Sequence, residues 1–404
     1  MSEEKLVPKL RFSGFNDDWE IKKLNDLSKI QRGASPRPIS SKKWYDTENK
    51  NVGWVRIGDV TASSKYLTET EDYFSEEGIK KSRFLPKGSL IMSICATIGK
   101  PIITDIDTCI HDGFVGFSEL NVNKEFLYYY LNILEPKFYS LSQTGSQANL
   151  NSDLVRISKI GVPSIKEQEK IVNFLSLIDN KIGLLEKKYQ SYVVFKKYLM
   201  QQIFAQKLRF NFDEEWVEIK LRDIGTFYRG HSYNSGNVVD NGLLVLRSNN
   251  IQDNALDFSD SELQFVNKDC KKELELQKND IVICMSNGTR SLVGKSAQYL
   301  GNYNKKLTVG AFCSIFRTNN ILAKYLFQTE LYRKNLYLIL AGTNINNLKN
   351  SDLEKFKFKI PNNKTEIKKI HDLFSSVDMN IENIKNQLNE IKLFKKSLLQ
   401  QMFV

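Results

Sequence analysis

Reactive and cross-linking residues are scarce in this sequence. Its three histidines, at positions 111, 231 and 371, are scattered, and its five cysteines, at 95, 109, 270, 284 and 313, form no C-x-x-C pair. A zinc cluster needs such ligands at short fixed spacings, so no metal site is expected. The odd cysteine count fits reduced thiols rather than a disulfide scaffold. No apolar run approaches the ~18 residues of a membrane span, so no membrane partner is expected. The first ten residues, MSEEKLVPKL, hold two acids and no apolar core. They are therefore expected to be neither signal nor transit sequence, which places the chain in the cytoplasm. No G-x-G-x-x-G loop occurs, nor an Asn-Pro-Pro-aromatic string of the kind that holds a flipped adenine in an amino-methyltransferase.

What is present begins with bulk. The 404 residues, 41% hydrophobic, suffice for two or three cores at about 150 residues per domain. Lysine and arginine number 58 against 47 acids, giving +11, a surplus that favours polyanionic partners and disfavours acidic substrates.

An internal repeat organises the chain. Phe195-Lys-Lys-Tyr-Leu-Met-Gln-Gln-Ile-Phe204 returns 199 residues later as Phe394-Lys-Lys-Ser-Leu-Leu-Gln-Gln-Met-Phe403, with seven of ten positions identical. Leu10-Arg11-Phe12 with Trp19, Leu24, Asp26, Arg32 and Gly33 is answered by Leu208-Arg209-Phe210 with Trp216, Leu221, Asp223, Arg229 and Gly230. The chain is two copies of one unit.

Each unit closes on a long helical pattern. Ile171, Leu175, Ile178, Ile182, Leu185, Tyr189 and Tyr192 step by four and three, and Leu199 and Ile203 resume after an interruption at Lys196. Ile370, Phe374, Val377, Ile381, Ile384, Leu388 and Ile391, then Leu398 and Met402, repeat this with the interruption at Lys395. A seam of period 3.5 predicts two rods of about 60 Å that pair as a coiled coil. Pro163 and Pro361 precede them, where proline can start a helix without interrupting it.

Between the rods, short apolar runs such as Ser89–Ile94 and Asp280–Cys284 read as strands, and segments 124–135 and 321–332 as short helices. The expected class is α+β. Its divisions are a strand-rich globule over 1–165, a helix over 166–208, a second globule over 209–363 and a helix over 364–404. The net charges of these segments are +1, +4, +4 and +2. More than half of the surplus therefore lies on the helices.

Several strings imitate catalytic motifs. Gly288-Thr-Arg-Ser-Leu-Val-Gly294-Lys295-Ser296 has five residues between its glycines where a phosphate-binding P-loop has four, and reads as an ordinary loop. Glu20-x-Lys22 and Glu218-x-Lys220 have the spacing of a nuclease strand but no paired upstream aspartate, and read as solvated strand faces. His111-Asp112, His231 and His371 lack a nucleophile in a recognisable elbow. The expectation is a non-catalytic chain.

Polar, basic and aromatic loops recur instead at matching places. In the first globule the candidates for DNA contact are Arg32, Ser35, Arg37, Lys43, Tyr45, Arg56, Thr97, Lys100, Thr144, Ser146 and Gln147. In the second they are Arg229, Ser232, Tyr233, Arg247, Asn249, Asn287, Thr289, Arg290, Lys295, Thr343, Asn344 and Asn346. Arginine can take both acceptors of guanine, Asn and Gln can pair with adenine, and Lys, Ser and Thr position phosphates. Asn/Gly clusters also make plain turns, so it is the recurrence that favours contact. Lys196, Lys197, Gln201 and Gln202, with Lys395, Lys396, Gln400 and Gln401, form a repeated strip expected to dock two copies of a partner.

These residues carry a resemblance. The Leu-Arg-Phe…Trp entries, the Pro163-x-x-x-Glu167-Gln168-x-x-Ile171 helix start and the Phe-Lys-Lys…Gln-Gln-x-Phe helix ends resemble the specificity subunit of a type I restriction-modification system. The second helix start, at Pro361, lacks the glutamine and has one extra residue before Glu366. The resemblance implies two target-recognition domains, each reading half of a split double-stranded DNA site, with the helices packed as an antiparallel coiled coil that serves as spacer. It also implies two methyltransferase subunits carrying S-adenosylmethionine and two restriction subunits using ATP and Mg²⁺, with no cofactor in this chain. The rival readings are a self-contained nuclease or methyltransferase, and a coiled-coil scaffold without a DNA role.

Overall fold

A computed structural model describes residues 6–48, 50–142, 149–342 and 346–404. It has two compact units, Met1–Glu186 with Asn386–Val404, and Lys187–Lys385. The units divide the chain differently from the linear segments: each long helix gives one half to each unit, because each half of the seam is buried against the nearer globule.

In the first unit a five-stranded sheet runs in the order Lys29–Arg32, Phe114–Ser118, Leu90–Ser93, Pro101–Thr104, Tyr66–Leu67. A four-stranded sheet runs Asp72–Phe74, Val52–Val55, Thr108–Ile110, Arg83–Leu85. Leu90–Ser93 is buried on both faces, which is why its run of apolar residues lacks the alternation of a half-exposed strand. The helix Lys124–Ser142 continues past the expected residue 135 and lays Phe126, Leu127, Tyr130 and Phe138 into a core shared with Trp19, Ile171 and Leu175.

The second unit repeats this plan. One sheet runs Gly225–Arg229, Cys313–Thr318, Ile281–Cys284, Ser296–Gln298, and the other Val238–Val239, Phe265–Val266, Leu243–Leu246, Leu307–Val309. The single helix expected over 321–332 is two, Ala323–Leu326 and Glu330–Ala341. The Thr329 hydroxyl accepts from the Tyr332 amide at 3.2 Å and starts a fresh helix, so an unbroken apolar pattern hid a cap.

The long helices are Ile165–Phe204 and Lys364–Met402. In the first unit Lys395 and Lys392 of the second helix pair with Asp179 and Glu186 of the first, at 2.5 and 2.7 Å, so the two halves run antiparallel. In the second unit Lys196 pairs with Asp378 at 2.7 Å and Phe204 stacks on Phe374. The seam residues Ile171, Leu175, Ile178, Leu185, Ile370, Phe374, Val377 and Ile384 are buried.

A buried ion pair ties each globule to its helix. Arg11 donates through Nε and a terminal nitrogen to both oxygens of Glu167, each at 2.8 Å, and the carboxylate is only 2% exposed. Arg209 does the same to the fully buried Glu366, at 2.9 and 3.1 Å, where Trp216 Nε1 adds a third bond. The irregular second helix start thus reaches the same contact. Asn363 takes the place of Ser164 as the side chain that accepts from the first helical amides, including that of the glutamate, and absorbs the extra residue. The glutamine has no counterpart: Gln168 bridges Pro163 and Asn123, whereas Ile367 packs into the apolar cluster.

Candidate nucleic-acid interface

The loops singled out in the first globule converge on one edge of its sheets. Arg32 ends a strand that pairs beside Val115, Ser93 pairs with Phe114, and Val55 runs beside Ile110. The chain leaving these strand ends makes the loops 33–37, 94–100 and 111–113 and, capped by Arg56, the short helix Ile57–Ala62. A bridge between Cys95 and Asn149 and the bond from the Leu150 amide to Ile94 O at 2.8 Å bring Asn149 and Leu150 to the same edge. Thr144, Ser146 and Gln147 lie outside the described residues.

Asp112 is the hub of this edge. Arg32 Nε donates to its backbone oxygen at 2.7 Å, the Ser35 hydroxyl to its Oδ1 at 2.7 Å, and Arg37 approaches its Oδ2 at 3.6 Å. The Ser35 hydrogen bond holds the Asp112 carboxyl below its ordinary range. Burial lowers the neighbouring His111, whose Nδ1 accepts from the Gly113 amide and whose ring packs on Phe114. Arg56 is exposed and pairs with Asp72 at 2.5 Å. Lys100 reaches the Thr61 carbonyl at 3.3 Å, Thr97 lies beside Thr61, and burial lowers the Lys100 pKa. Lys43 lies over the Trp44 ring and Tyr45 donates to Ile39 O, on the flank of this edge.

The second globule rebuilds the edge with other side chains. Arg229 pairs with Ser314, Cys284 with Cys313, and Leu246 runs beside Val309. Ser286 bridges to Asn347 as Cys95 does to Asn149. Arg247 is half-buried; a terminal nitrogen donates to Glu262 O, and its Nε has no partner among the described residues. Asn249 donates to the Glu262 carboxylate, Asn287 to the Ser248 hydroxyl, and Tyr233 accepts from Gln264. Arg290 donates to Leu340 O and to Asn346, which returns a bond to Gly288 O. Asn287 Oδ1 caps Thr289, Arg229 and Ser232 are exposed, and Lys295 is half-buried. Thr343 and Asn344 lie outside the described residues.

Spacing along the chain gave no sign of Asp112, Asp72 or Glu262 as the acids that hold these loops, since each partner is a separate strand away. The recurring loops themselves were the signal.

The catalytic look-alikes take plain positions. After Gly288 comes a short 3₁₀ turn, Arg290–Leu292, and Ser296 begins a strand rather than a helix, so no helix N-terminus faces a would-be phosphate. Glu20 pairs with Lys22 and Glu218 with Lys357 on exposed strand faces. Among the described residues no group of three or more His, Cys, Asp or Glu side chains is placed to hold a metal, and no helix is long and apolar enough to cross a membrane.

The expected docking strip needs a correction. Lys196 and Lys395, the two seam interruptions, turn inward onto Asp378 and Asp179, at 14% and 22% exposure. A lysine in the seam must be neutralised, and each is met by an aspartate of the facing helix. Lys197 and Lys396 stay outward, with Gln400, while Gln201, Gln202 and Gln401 are half-exposed. Lys197, Gln201 and Gln202 line a cavity of about 700 Å³ with Thr329, Glu330 and Arg333.

The family model for the type I restriction modification DNA specificity domain matches residues 16–191 and 213–393. The chain is 30% identical over 198 residues to the type I restriction enzyme EcoKI specificity subunit of Escherichia coli K12, a match covering 46% of this chain. It spans less than half the length of that relative, 42%, and the same share of the StySPI specificity subunit of Salmonella potsdam. The MjaVIII specificity subunit of Methanocaldococcus jannaschii is 23% identical, over 95% of this chain and 91% of its own. In fold, the chain is similar to the crystal structure of a type I restriction-modification S subunit from M. genitalium (TM-score 0.60, 14% identity, 98% and 99% covered). A chain from a structural study of assembly and conformational transition in the type I R-M system gives a TM-score of 0.54 at 14% identity, covering 96% and 97%. With both repeats matched separately by one model, the chain belongs to the family of type I restriction modification DNA specificity domains.

Proposed function

We propose that this chain is the non-catalytic specificity subunit of a type I restriction-modification assembly in the cytoplasm, and that each globule reads one half of a bipartite double-stranded DNA target. The observation that carries the reading is the duplicated edge: two units built on related sheets gather different Arg, Asn, Ser and Thr side chains at corresponding strand ends. Similar scaffolds with different reading groups suit two unlike half-sites. The helices serve as spacer, so their length sets the gap between half-sites.

Two modification subunits bring S-adenosylmethionine for adenine-N6 methylation and two restriction subunits bring ATP and Mg²⁺ chemistry; this chain holds none of these cofactors. Exposed apolar pairs at the 199-residue offset, Val194 with Phe195 and Leu393 with Phe394, lie beside Lys197 and Lys396 and support two equivalent docking surfaces. Exchange of residues 1–150 for the same segment of a relative, followed by mapping of methylated adenines in cells carrying the modification partner, tests the reading. One half of the target changes and the other stays; change in both halves or in neither overturns one globule for one half-site.

A further inference from the structure

Phe312 is 71% exposed and sits at the tip of the turn between strands Leu307–Val309 and Cys313–Thr318. A lone exposed apolar side chain is ordinary; this one is notable for its place. Its carbonyl accepts from the Met285 amide at 2.8 Å, while Met285 O accepts from Leu348 at 2.8 Å. In the first globule Gly113 O accepts from Ile94, and Ile94 O from Leu150, at the same two distances. Phe312 and Gly113 are therefore the same position of the duplicated edge, 199 residues apart. In the first reader that position is glycine, and a Cβ on Gly113 would run into Cys95 Sγ and the His111 ring, so a side chain there would have to displace both. In the second, the exposed Phe312 sits where its carbonyl accepts from the amides of Met285 and Ser286, which lead into the loop that holds Asn287 and Arg290, and the Gly310 amide of the same turn donates to Leu246 O next to Arg247.

Resting on the DNA reading above, we infer that Phe312 is a specificity-determining residue of the second globule that packs on a thymine methyl of its half-site. Its neighbours can satisfy the donors and acceptors of base edges. A phenyl can satisfy neither, and it gains nothing from a phosphate. The C5 methyl of thymine is the apolar group that the major groove presents. An apolar wedge driven into the base stack is the competing use of such a side chain, and it tolerates many sequences.

The test selects duplexes from a randomised DNA pool with the full chain co-expressed with a modification subunit, comparing wild type, Phe312→Ala and Phe312→Leu. Expected is loss of one thymine preference in one half of the motif for Phe312→Ala, its partial retention for Phe312→Leu, and an unchanged other half. Replacing that thymine by uracil in the selected duplex should weaken wild type roughly fivefold, the worth of one buried methyl, and leave Phe312→Ala unaffected. An unchanged motif, equal weakening on all duplexes, or an equal uracil effect on both proteins overturns the inference while leaving the DNA reading intact. A wild-type selection that yields no motif overturns the DNA reading itself, and the inference with it. Unchanged melting temperature in both variants separates these outcomes from misfolding.

Discussion

At the scale of single residues, acids at the edge of each globule hold the basic side chains of the same loops in place. Asp112 gathers Arg32, Ser35 and Arg37, and Asp72 takes Arg56 at 2.5 Å. Holding a guanidinium in place before DNA arrives reduces the ordering cost of binding. On this basis Arg56→Ala and Arg247→Ala should each weaken specific binding by about 1–3 kcal/mol, and only through its own half-site. Titration of duplexes altered in one half at a time checks this; uniform loss on every sequence would reassign the residue to a phosphate. The reading residues were visible in the sequence because they recur. Their partners were not: Asp112 lies 80 residues from Arg32 and Glu262 15 from Arg247, and neither separation leaves a local signature.

At the scale of elements, the interruptions at Lys196 and Lys395 explain how two long apolar seams are kept in one register. In the first unit Asp179 receives Lys395 at 2.5 Å and the Tyr129 hydroxyl at 2.6 Å. In the second, Asp378 receives Lys196 at 2.7 Å and Tyr325 at 3.2 Å. A one-turn slip would bury each lysine without its acid, a cost that apolar seams alone do not impose. Lys395→Asp should therefore lower the thermal midpoint, and adding Asp179→Lys should recover part of the loss, with a coupling of about 1 kcal/mol or more in a double-mutant cycle. Additive effects would remove the pair from this role. The 3.5-residue period made the helices legible from end to end, because their burial follows chain spacing. The break between Leu326 and Glu330 was not legible: residues on both sides of it are buried, and the Thr329 cap is a single hydroxyl.

At the scale of the molecule, charge is spread thinly. The first globule's segment carries only +1 of the total +11, so binding there must rest on a few placed side chains rather than a basic surface. For about four phosphates neutralised, affinity for non-specific duplex should fall roughly 100-fold between 50 and 200 mM salt. Fluorescence anisotropy at several salt concentrations gives the slope, and salt-independent binding would point away from phosphate contact.

Periodicity and duplication determined the two units, the two rods and the positions of the variable loops, because those features repeat along the chain and need no knowledge of what lies opposite. Only the tertiary structure decided that each rod is shared between two compact units, that Arg11 and Arg209 find buried glutamates at the helix starts, and that Lys196 and Lys395 belong to the seam. The physical reason is the same in each case. An ion pair or a core forms between groups that folding brings within a few ångströms, and the separation of 156 positions from Arg11 to Glu167 leaves no trace of that meeting in the local sequence.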